Sequence, residues 1–335
     1  SGDPMYFGVG NTLIKYFGSE PIYAIPAPSS ISLAASRLGW ALADCDVITL
    51  HGRAPEGIRS HLRPHGKLIA LSADGSTPAL VAVMLCEAGF DQSRMTVCER
   101  LGGSEERITT QTAQTWQSTA TSMPDVKPVD PLNLIMIDLQ AGPKARLLPK
   151  GPGLPDDAFI HDGMITKSEI RAQTLSSLAP FDGGVLWDIG AGCGSVSIEW
   201  MRMGGVAVAI ERDAERCAMI GKNAIRLGVP SIAVEEKSIE EALLFADRLP
   251  VPDAIFIGGG ITHDGLLEKC WDILPVHGRL VANTVTLEGE EKLLRFYNKM
   301  GGTLSRLSVS RLVPRGNFKG WSNLAPVTHY VGVKA

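Results

Sequence analysis

No run of apolar residues approaches the roughly 18 that a membrane-crossing helix needs, and no charged-then-apolar leader with a small-residue cleavage site is visible. A cytoplasmic protein with no membrane partner is the expectation. The six cysteines, Cys45, Cys86, Cys98, Cys193, Cys217 and Cys270, include no C-x-x-C pair, so a disulfide framework is not expected and reduced thiols are. His61 and His65 could share a helix face, but Pro64 separates them and no further ligand is near; surface histidines are expected, and no metal site. No Ser-His-Asp arrangement indicates covalent catalysis. Aromatic residues make up 6% of the chain, little for a protein that stacks RNA bases. Acidic residues stop at Glu291. Beyond it come Lys292, Arg295, Lys299, Arg306, Arg311, Arg315, Lys319 and Lys334, while the rest of the chain carries 24 Lys and Arg against 36 Asp and Glu. A positive region on an otherwise acidic chain suggests an anionic partner; a solvated surface is the alternative.

What is present suits two α/β domains. The length of 335 residues and an apolar content of 44% allow two cores. Prolines crowd between Pro124 and Pro155, and PKGPGLPDD (149–157) suits neither helix nor central strand. The expected division is residues 1–141, a linker at 142–157, and 158–335. In the first domain PIYAIP (21–26), DVITL (46–50), KLIAL (67–71), RMTVCE (94–99) and LNLIMIDL (132–139) read as strands. SSISLAASRLG (29–39) and PALVAVMLCEAG (78–89) read as helices, the former with a serine cap and Gly39 past its end. The second domain reads as strand GVLWDI, helix 195–203, strand VAVAIE, helix 214–228, then strands IAVEEK, DAIFIGG, RLVANTV, LSRLSVSRL and VTHYVGVK, with helices near 265–274 and 288–300. VPRGNFKGWSNLAP, between the last two strands, is too polar and Gly/Pro-rich for a helix, so those strands should pair antiparallel.

The chemistry is concentrated in LWDIGAGCGSVSIEW. A strand ends at Ile189, Gly190, Gly192 and Gly194 follow at alternate positions, and a helix begins. Glycines allow a tight turn and close approach of a ligand, and the helix start offers unpaired N–H groups. Glu211 ends the next strand, where a carboxylate can take both ribose hydroxyls. The plain alternative is a tight βα turn beside a solvated Glu211. The spacing is G-x-G-x-G, not the G-x-G-x-x-G of nicotinamide sites. Together with the antiparallel ending this favours S-adenosylmethionine. His263 and Asp264, after the turn Gly258-Gly259-Gly260, are candidates for proton transfer, although Thr262 or Asp264 as a helix cap is the preferred reading.

HDGMITKSEIRAQTLSSL followed by LWDIGAGCGSVSIE resembles the decarboxylating C15-methyltransferases of cobalamin biosynthesis across nearly all of 158–335. That resemblance implies the class I, Rossmann-like methyltransferase fold, with a seven-stranded sheet whose last strand is antiparallel. SGDPMYFG, APSSISLAASRLGW, LHGR, DGSTPALVAVML and ERLGGSEERI resemble the C5-methylating branch of the tetrapyrrole methylases. The fusion in this order resembles enzymes that methylate C5 and C15 of a reduced corrinoid precursor and remove carbon dioxide from its C12 acetate. The resemblance implies precorrin-6B, a polycarboxylate tetrapyrrole, as the substrate for C15 methylation. It further implies cofactor contacts at Thr166, at Gly190, Ala191, Gly192, Cys193 and Gly194, at Glu211 and near Ile239. The family often has Gly-Asp-Ala where this chain has Lys237-Ser238-Ile239, and often Asp at 211. Arg171, Arg311, Arg315 and Lys319 are candidates for substrate carboxylates by charge and position. In relatives SGDP lies partway through the domain, so the first domain is expected to be a partial copy that lacks C5 methylation, with exposed sheet edges favouring a homo-oligomer. An RNA methyltransferase and a non-catalytic remnant are the alternatives.

Overall fold

The computed structural model describes residues 2–122 and 128–335; Ser1 and Pro124, which figure in the sequence reading, lie outside them. The chain forms two units, residues 1–148 and 149–335. The stretch read as a linker is partly built into the second unit: Leu154 is buried, and the N–H groups of Gly153 and Leu154 donate to Glu199 at 2.6 and 2.9 Å.

The first unit runs α1 (Val9–Phe17), α2 (Ser30–Leu38), β1 (Cys45–Thr49), β2 (His65–Leu71), α3 (Thr77–Glu87), β3 (Arg94–Glu99), β4 (Arg107–Thr112), α4 (Ala113–Ser122) and β5 (Asn133–Gln140). Its sheet has the order β1-β2-β5-β3-β4. β1 and β2 are parallel, and β5 inserts antiparallel between β2 and β3. Ser29 caps α2, accepting from the Ser32 N–H, and Gly39 ends it in the left-handed region at φ +64°. PIYAIP is not a strand: Tyr23 and Ile25 are exposed, and prolines at 21, 26 and 28 remove the donors a ladder would use. The β4–α4 pair was not read from the sequence; RITTQTAQTWQST has no strong apolar period.

The second unit continues with α5 (Ser168–Leu178), β6 (Val185–Ile189), α6 (Ser195–Arg202), β7 (Val206–Glu211), α7 (Ala214–Leu227), β8 (Ala233–Glu236), α8 (Ile239–Leu244), β9 (Ala254–Ile257), α9 (Leu266–Ile273), β10 (Arg279–Thr284), α10 (Leu287–Met300), β11 (Thr303–Leu307), β12 (Ser310–Arg315), β13 (Phe318–Asn323) and β14 (Val327–Val333). Seven strands form one sheet in the order β11-β14-β10-β9-β6-β7-β8. β14 is antiparallel to both neighbours, and the strands from β10 to β8 are parallel. Alternation divides the core. Trp187, Ile189, Ile255, Ile257, Leu280 and Ala282 pack on one face. Leu186, Ala254, Phe256 and Val281 pack on the other, against Leu175 and Leu178 of α5 and Val196 and Trp200 of α6. Central parallel strands buried on both faces read as continuous apolar runs, which is why VLWDI and AIFI were legible.

LSRLSVSRL, read as one strand, is two. β11 belongs to the main sheet, whereas β12 leaves it and pairs antiparallel with β13. The loop between the last two sheet strands is therefore a hairpin closed at Gly316-Asn317. Pro314 and Gly320 hid it from the sequence reading, and a free two-stranded arm tolerates both.

Candidate functional site

β6 delivers the chain to the bend Gly190–Gly194. Gly190 has φ +71°, and a Cβ there would lie 2.9 Å from the N and Cα of Gly259, in the turn after β9. The two turns meet backbone to backbone, and only hydrogen fits between them. The N–H groups of Gly190 and Ala191 both donate to the Ile210 carbonyl, at 3.0 and 3.1 Å, which ties the bend to β7. Gly194, at φ +77°, is the N-cap of α6 and offers no side-chain cap.

Glu211 turns its carboxylate toward this bend. Oε2 accepts from Gly192 N–H at 2.9 Å; Oε1 accepts from Arg212 and Asp213 N–H at 2.9 and 3.1 Å. A carboxylate oxygen has two acceptor sites, so Oε2 keeps one for a ligand hydroxyl. Asp188 lies one strand over and is 1% exposed. Its Oδ2 accepts from Ser197 Oγ at 2.6 Å and Ser197 N–H at 3.1 Å. Its Oδ1 is buried with no hydrogen-bond partner among the described residues. Burial pushes the carboxyl up to about 6, and the charge of Glu211 adds to the rise.

These groups share one cavity of about 850 Å³. Its walls are residues 163–167, the glycine bend, the end of β7, residues 237–240, the turn 258–263, the end of β10 and the approach to β14. Thr166, Gly190, Ala191, Gly192, Cys193, Glu211 and Ile239, all expected from the resemblance, line it; Gly194 forms the turn beneath them. Ser238 takes part in a capping box with Glu241, which fixes the start of α8. Ile239 then packs over Gly260, its Cδ1 filling the space a Cβ there would need.

The other candidates separate. His263 lines the cavity beside Ile239, with Nδ1 2.6 Å from Glu240 Oε1. Asp264 is not in the cavity wall: its side chain is 94% exposed and pairs with Lys292, which holds its carboxyl below the usual range. Neither Asp264 nor Thr262 caps α9; its N-cap is Gly265 in the left-handed region, with no side-chain bond. Arg171 does not present its charge to the cavity. It is fully buried, donates to Glu199 Oε1 at 2.5 Å and to the carbonyls of Thr166 and Leu154, and lies 4.8 Å from the Phe159 ring. It fixes the Thr166 wall from behind. Arg311, at the base of the β12–β13 hairpin, donates to Glu169 at 2.5 Å and to Asp156 at 2.9 Å, and holds Glu169 down to about 2. Arg315 donates to the Trp321 carbonyl at 3.1 Å, and Lys319 is exposed. The cations in the wall are instead Lys167, Arg212, Arg216 and Lys237. Sequence reasoning passed over Lys167, Arg212 and Arg216, although Lys167 and Arg212 directly follow Thr166 and Glu211, and it named Lys237 only as part of the Lys237-Ser238-Ile239 stretch. It also passed over Asn283.

The residues present fit S-adenosylmethionine. Asp188 has a buried oxygen without a donor, suited to an ammonium group. Gly190 and Gly259 leave backbone open where side chains would close it, and Glu211 faces the same space.

Comparison with known proteins identifies the chain's relatives as methyltransferases. Residues 157–334 match the precorrin methyltransferase domain family, and residues 1–116 match the tetrapyrrole (corrin/porphyrin) methylases. A precorrin-6Y C(5,15)-methyltransferase [decarboxylating] of Sinorhizobium sp. is 47% identical over all of this chain and 79% of its own length. One from Mycobacterium tuberculosis is 42% identical over 98% of this chain and 80% of its own. The crystal structure of the C-terminal domain of precorrin-6Y C5,15-methyltransferase from Rhodobacter capsulatus aligns in full with 56% of this chain, at 42% identity and a TM-score of 0.52. With the seven-stranded sheet, the glycine bend and Glu211 in place, the chain belongs to the decarboxylating precorrin-6Y C5,15-methyltransferase family.

Proposed function

We propose that the second unit binds S-adenosylmethionine and methylates C15 of precorrin-6B with loss of the C12 acetate carboxyl as carbon dioxide. The observation that carries this reading is the convergence of Glu211, the glycine bend and the unpaired Asp188 oxygen on one cavity. When bound, the cofactor supplies an electrophilic methyl group on sulfonium. Asp188 pairs with its ammonium group, Glu211 Oε2 accepts from one ribose hydroxyl, and Ile239 and Gly260 flank the nucleobase. Cys193 and Thr166 close the wall and exclude water. His263, beside Ile239 and bonded to Glu240, sits on the nucleobase side, so proton transfer to the macrocycle is assigned to another donor.

Pairing within the basic C-terminal region argues against a nucleic-acid partner, and the cations that face the cavity are Lys167, Arg212, Arg216 and Lys237. Lys292, Arg295, Arg306 and Arg311 each pair with a carboxylate of their own unit, which lowers the charge available to phosphates. Binding to a generic RNA should be weak, with a shallow salt dependence. We place the protein in the cytoplasm; among the described residues no helix is long and apolar enough to cross a membrane, and all six cysteines are free thiols. A homo-oligomer fits the exposed apolar face of the β12–β13 hairpin, where Leu312 is paired with Trp321; sedimentation tests it.

Incubation with S-adenosylmethionine and precorrin-6B, followed by mass spectrometry, tests the main reading. Gain of one methyl with loss of carbon dioxide supports it. Unchanged precursor, or methylation with no decarboxylation, refutes it.

A further inference from the structure

Asn283 is the part-exposed residue near the end of a buried strand, and it lines the cavity. In the β10–β14 register it stands directly opposite His329. Its amide belongs to a chain of buried hydrogen bonds whose direction is fixed by one end. The Ile170 carbonyl can only accept, so the Thr174 hydroxyl donates to it, at 2.8 Å. The Thr174 oxygen must then accept from Asn283, whose Nδ2 is 2.8 Å away. That leaves the Asn283 Oδ1 facing His329 Nδ1 at 2.7 Å, so the ring carries its proton on Nδ1. His329 Nε2 then accepts from the Ser177 hydroxyl at 3.0 Å. His329 is 2% exposed, and burial keeps it neutral by pushing its pKa down to about 4. In a charged ring Nε2 would donate, and the Ser177 bond would reverse so that the hydroxyl oxygen accepts.

The network locks the Asn283 amide and prevents it from flipping. Among the described residues its second N–H has no partner, and the second acceptor site of Oδ1 is also free. Asn283 lies two strands from the Asp188 strand and three from Glu211, in the order β10-β9-β6-β7. At about 4.8 Å per strand, that is roughly 10 and 14 Å away laterally. It therefore serves the half of the cavity beyond the cofactor groups. Thr284, Val285, Thr286, Leu324, Ala325 and Val327, the uncharged residues at the end of β10 and the approach to β14, line the same cavity.

We infer that Asn283 is a substrate-binding residue whose amide N–H donates to the acetate carboxylate that departs, and that His329 and Thr174 are its positioning residues. The inference rests on the reading of the site given above. A neutral donor suits a carboxylate that must be lost. When the C–C bond breaks, its electron pair passes into the conjugated macrocycle, the carboxylate loses its negative charge as it becomes carbon dioxide, and solvent later supplies the proton to the new methyl group. A cation at this point would hold the charged ground state more strongly than the charge-poor departing group. An amide orients the carboxylate at less cost to the step.

The test uses the full chain with S-adenosylmethionine and precorrin-6B. Mass spectrometry reads the ratio of decarboxylated to carboxyl-retaining methylated product, and calorimetry reads cofactor affinity. Asn283→Ala should lower that ratio on the order of tenfold to a hundredfold and raise KM for the macrocycle, with cofactor affinity unchanged. The near-isosteric Asn283→Asp should raise KM further by repelling the carboxylate. His329→Leu should shift the ratio in the same direction, and His329→Asn, which keeps a donor toward Asn283, should restore most of it. A wild-type ratio and KM in both Asn283 variants would overturn the binding role. Equal effects of His329→Leu and His329→Asn would overturn the positioning role. If the unsubstituted chain methylates nothing, the parent reading has failed, and that shows before any variant is made.

Discussion

The substitution Asp188→Asn separates the two roles given to that carboxylate. In the free protein its burial is unfavourable: one oxygen has Ser197 as partner, the other has none, and the carboxyl rises from 3.8 to about 6. A shift of about two units corresponds to about 3 kcal/mol. Because the folded value is raised, this group's favourable contribution is fully present below about pH 4 and is lost as pH rises through 6. At pH 7.5 the free enzyme thus carries an ionised, half-satisfied carboxylate that the cofactor's ammonium would neutralise. The amide introduced by Asp188→Asn would be uncharged at every pH. Without cofactor, the variant's second unit should therefore melt higher than the parent at pH 7.5, by about 2–4 °C per kcal/mol relieved, and the advantage should vanish near pH 4. Its affinity for S-adenosylmethionine should fall on the order of tenfold to a hundredfold. Differential scanning calorimetry with and without cofactor at pH 4.5, 6 and 7.5, together with titration calorimetry, measures both. Comparing variant with parent at each pH cancels the opposite contribution of His329. Unchanged cofactor affinity, or a variant less stable than the parent at pH 7.5, would refute the assignment of Asp188 as a charge awaiting its partner.

Gly190→Ala should abolish measurable cofactor binding and cost about 1–3 kcal/mol, since a Cβ at φ +71° meets the Gly259 backbone at 2.9 Å; wild-type affinity in calorimetry would contradict the close contact. Arg171→Met should destabilise the second unit by about 3–5 kcal/mol by leaving Glu199 buried without its cation, and adding Glu199→Gln should recover part of the loss in denaturant titrations. His329, depressed from 6.5 to about 4, contributes stability that is full above pH 6.5 and lost as pH falls toward 4, about 3 kcal/mol in total. His329→Asn should flatten that acid limb in a pH series of melting temperatures.

The sequence exposed those parts of the site where backbone conformation dictates residue type. Gly190, Gly192 and Gly194 all have positive φ, and Glu211 ends a buried strand, so a single sequence displays them. Capped helices such as α2 and continuous central strands were legible for the same reason. What escaped depends on contacts between distant segments. Arg171 carries a surface residue's charge, yet Glu199, 28 positions on, draws it into the core. Asn283 gains its role from Thr174 and His329, which are 109 and 46 positions away. The hairpin of β12 and β13 combines Pro314 and Gly320 with strand geometry that only its own cross-pairing reveals.

The antiparallel placement of β14 has a consequence for biosynthesis. This strand lies between β10 and β11 in the sheet but follows both in the chain. While a ribosome is still synthesising residues before 327, β10 has one edge unpaired, β11 has no sheet to join, and His329 does not yet exist to orient Asn283. The elements from β6 to β9, which carry the glycine bend and the Glu211 strand, precede that moment, so a nascent second unit can build that side of the cavity before β14 completes the other. Chains ending short of β14 should consequently retain an open ladder, a natural handle for chaperones and proteases.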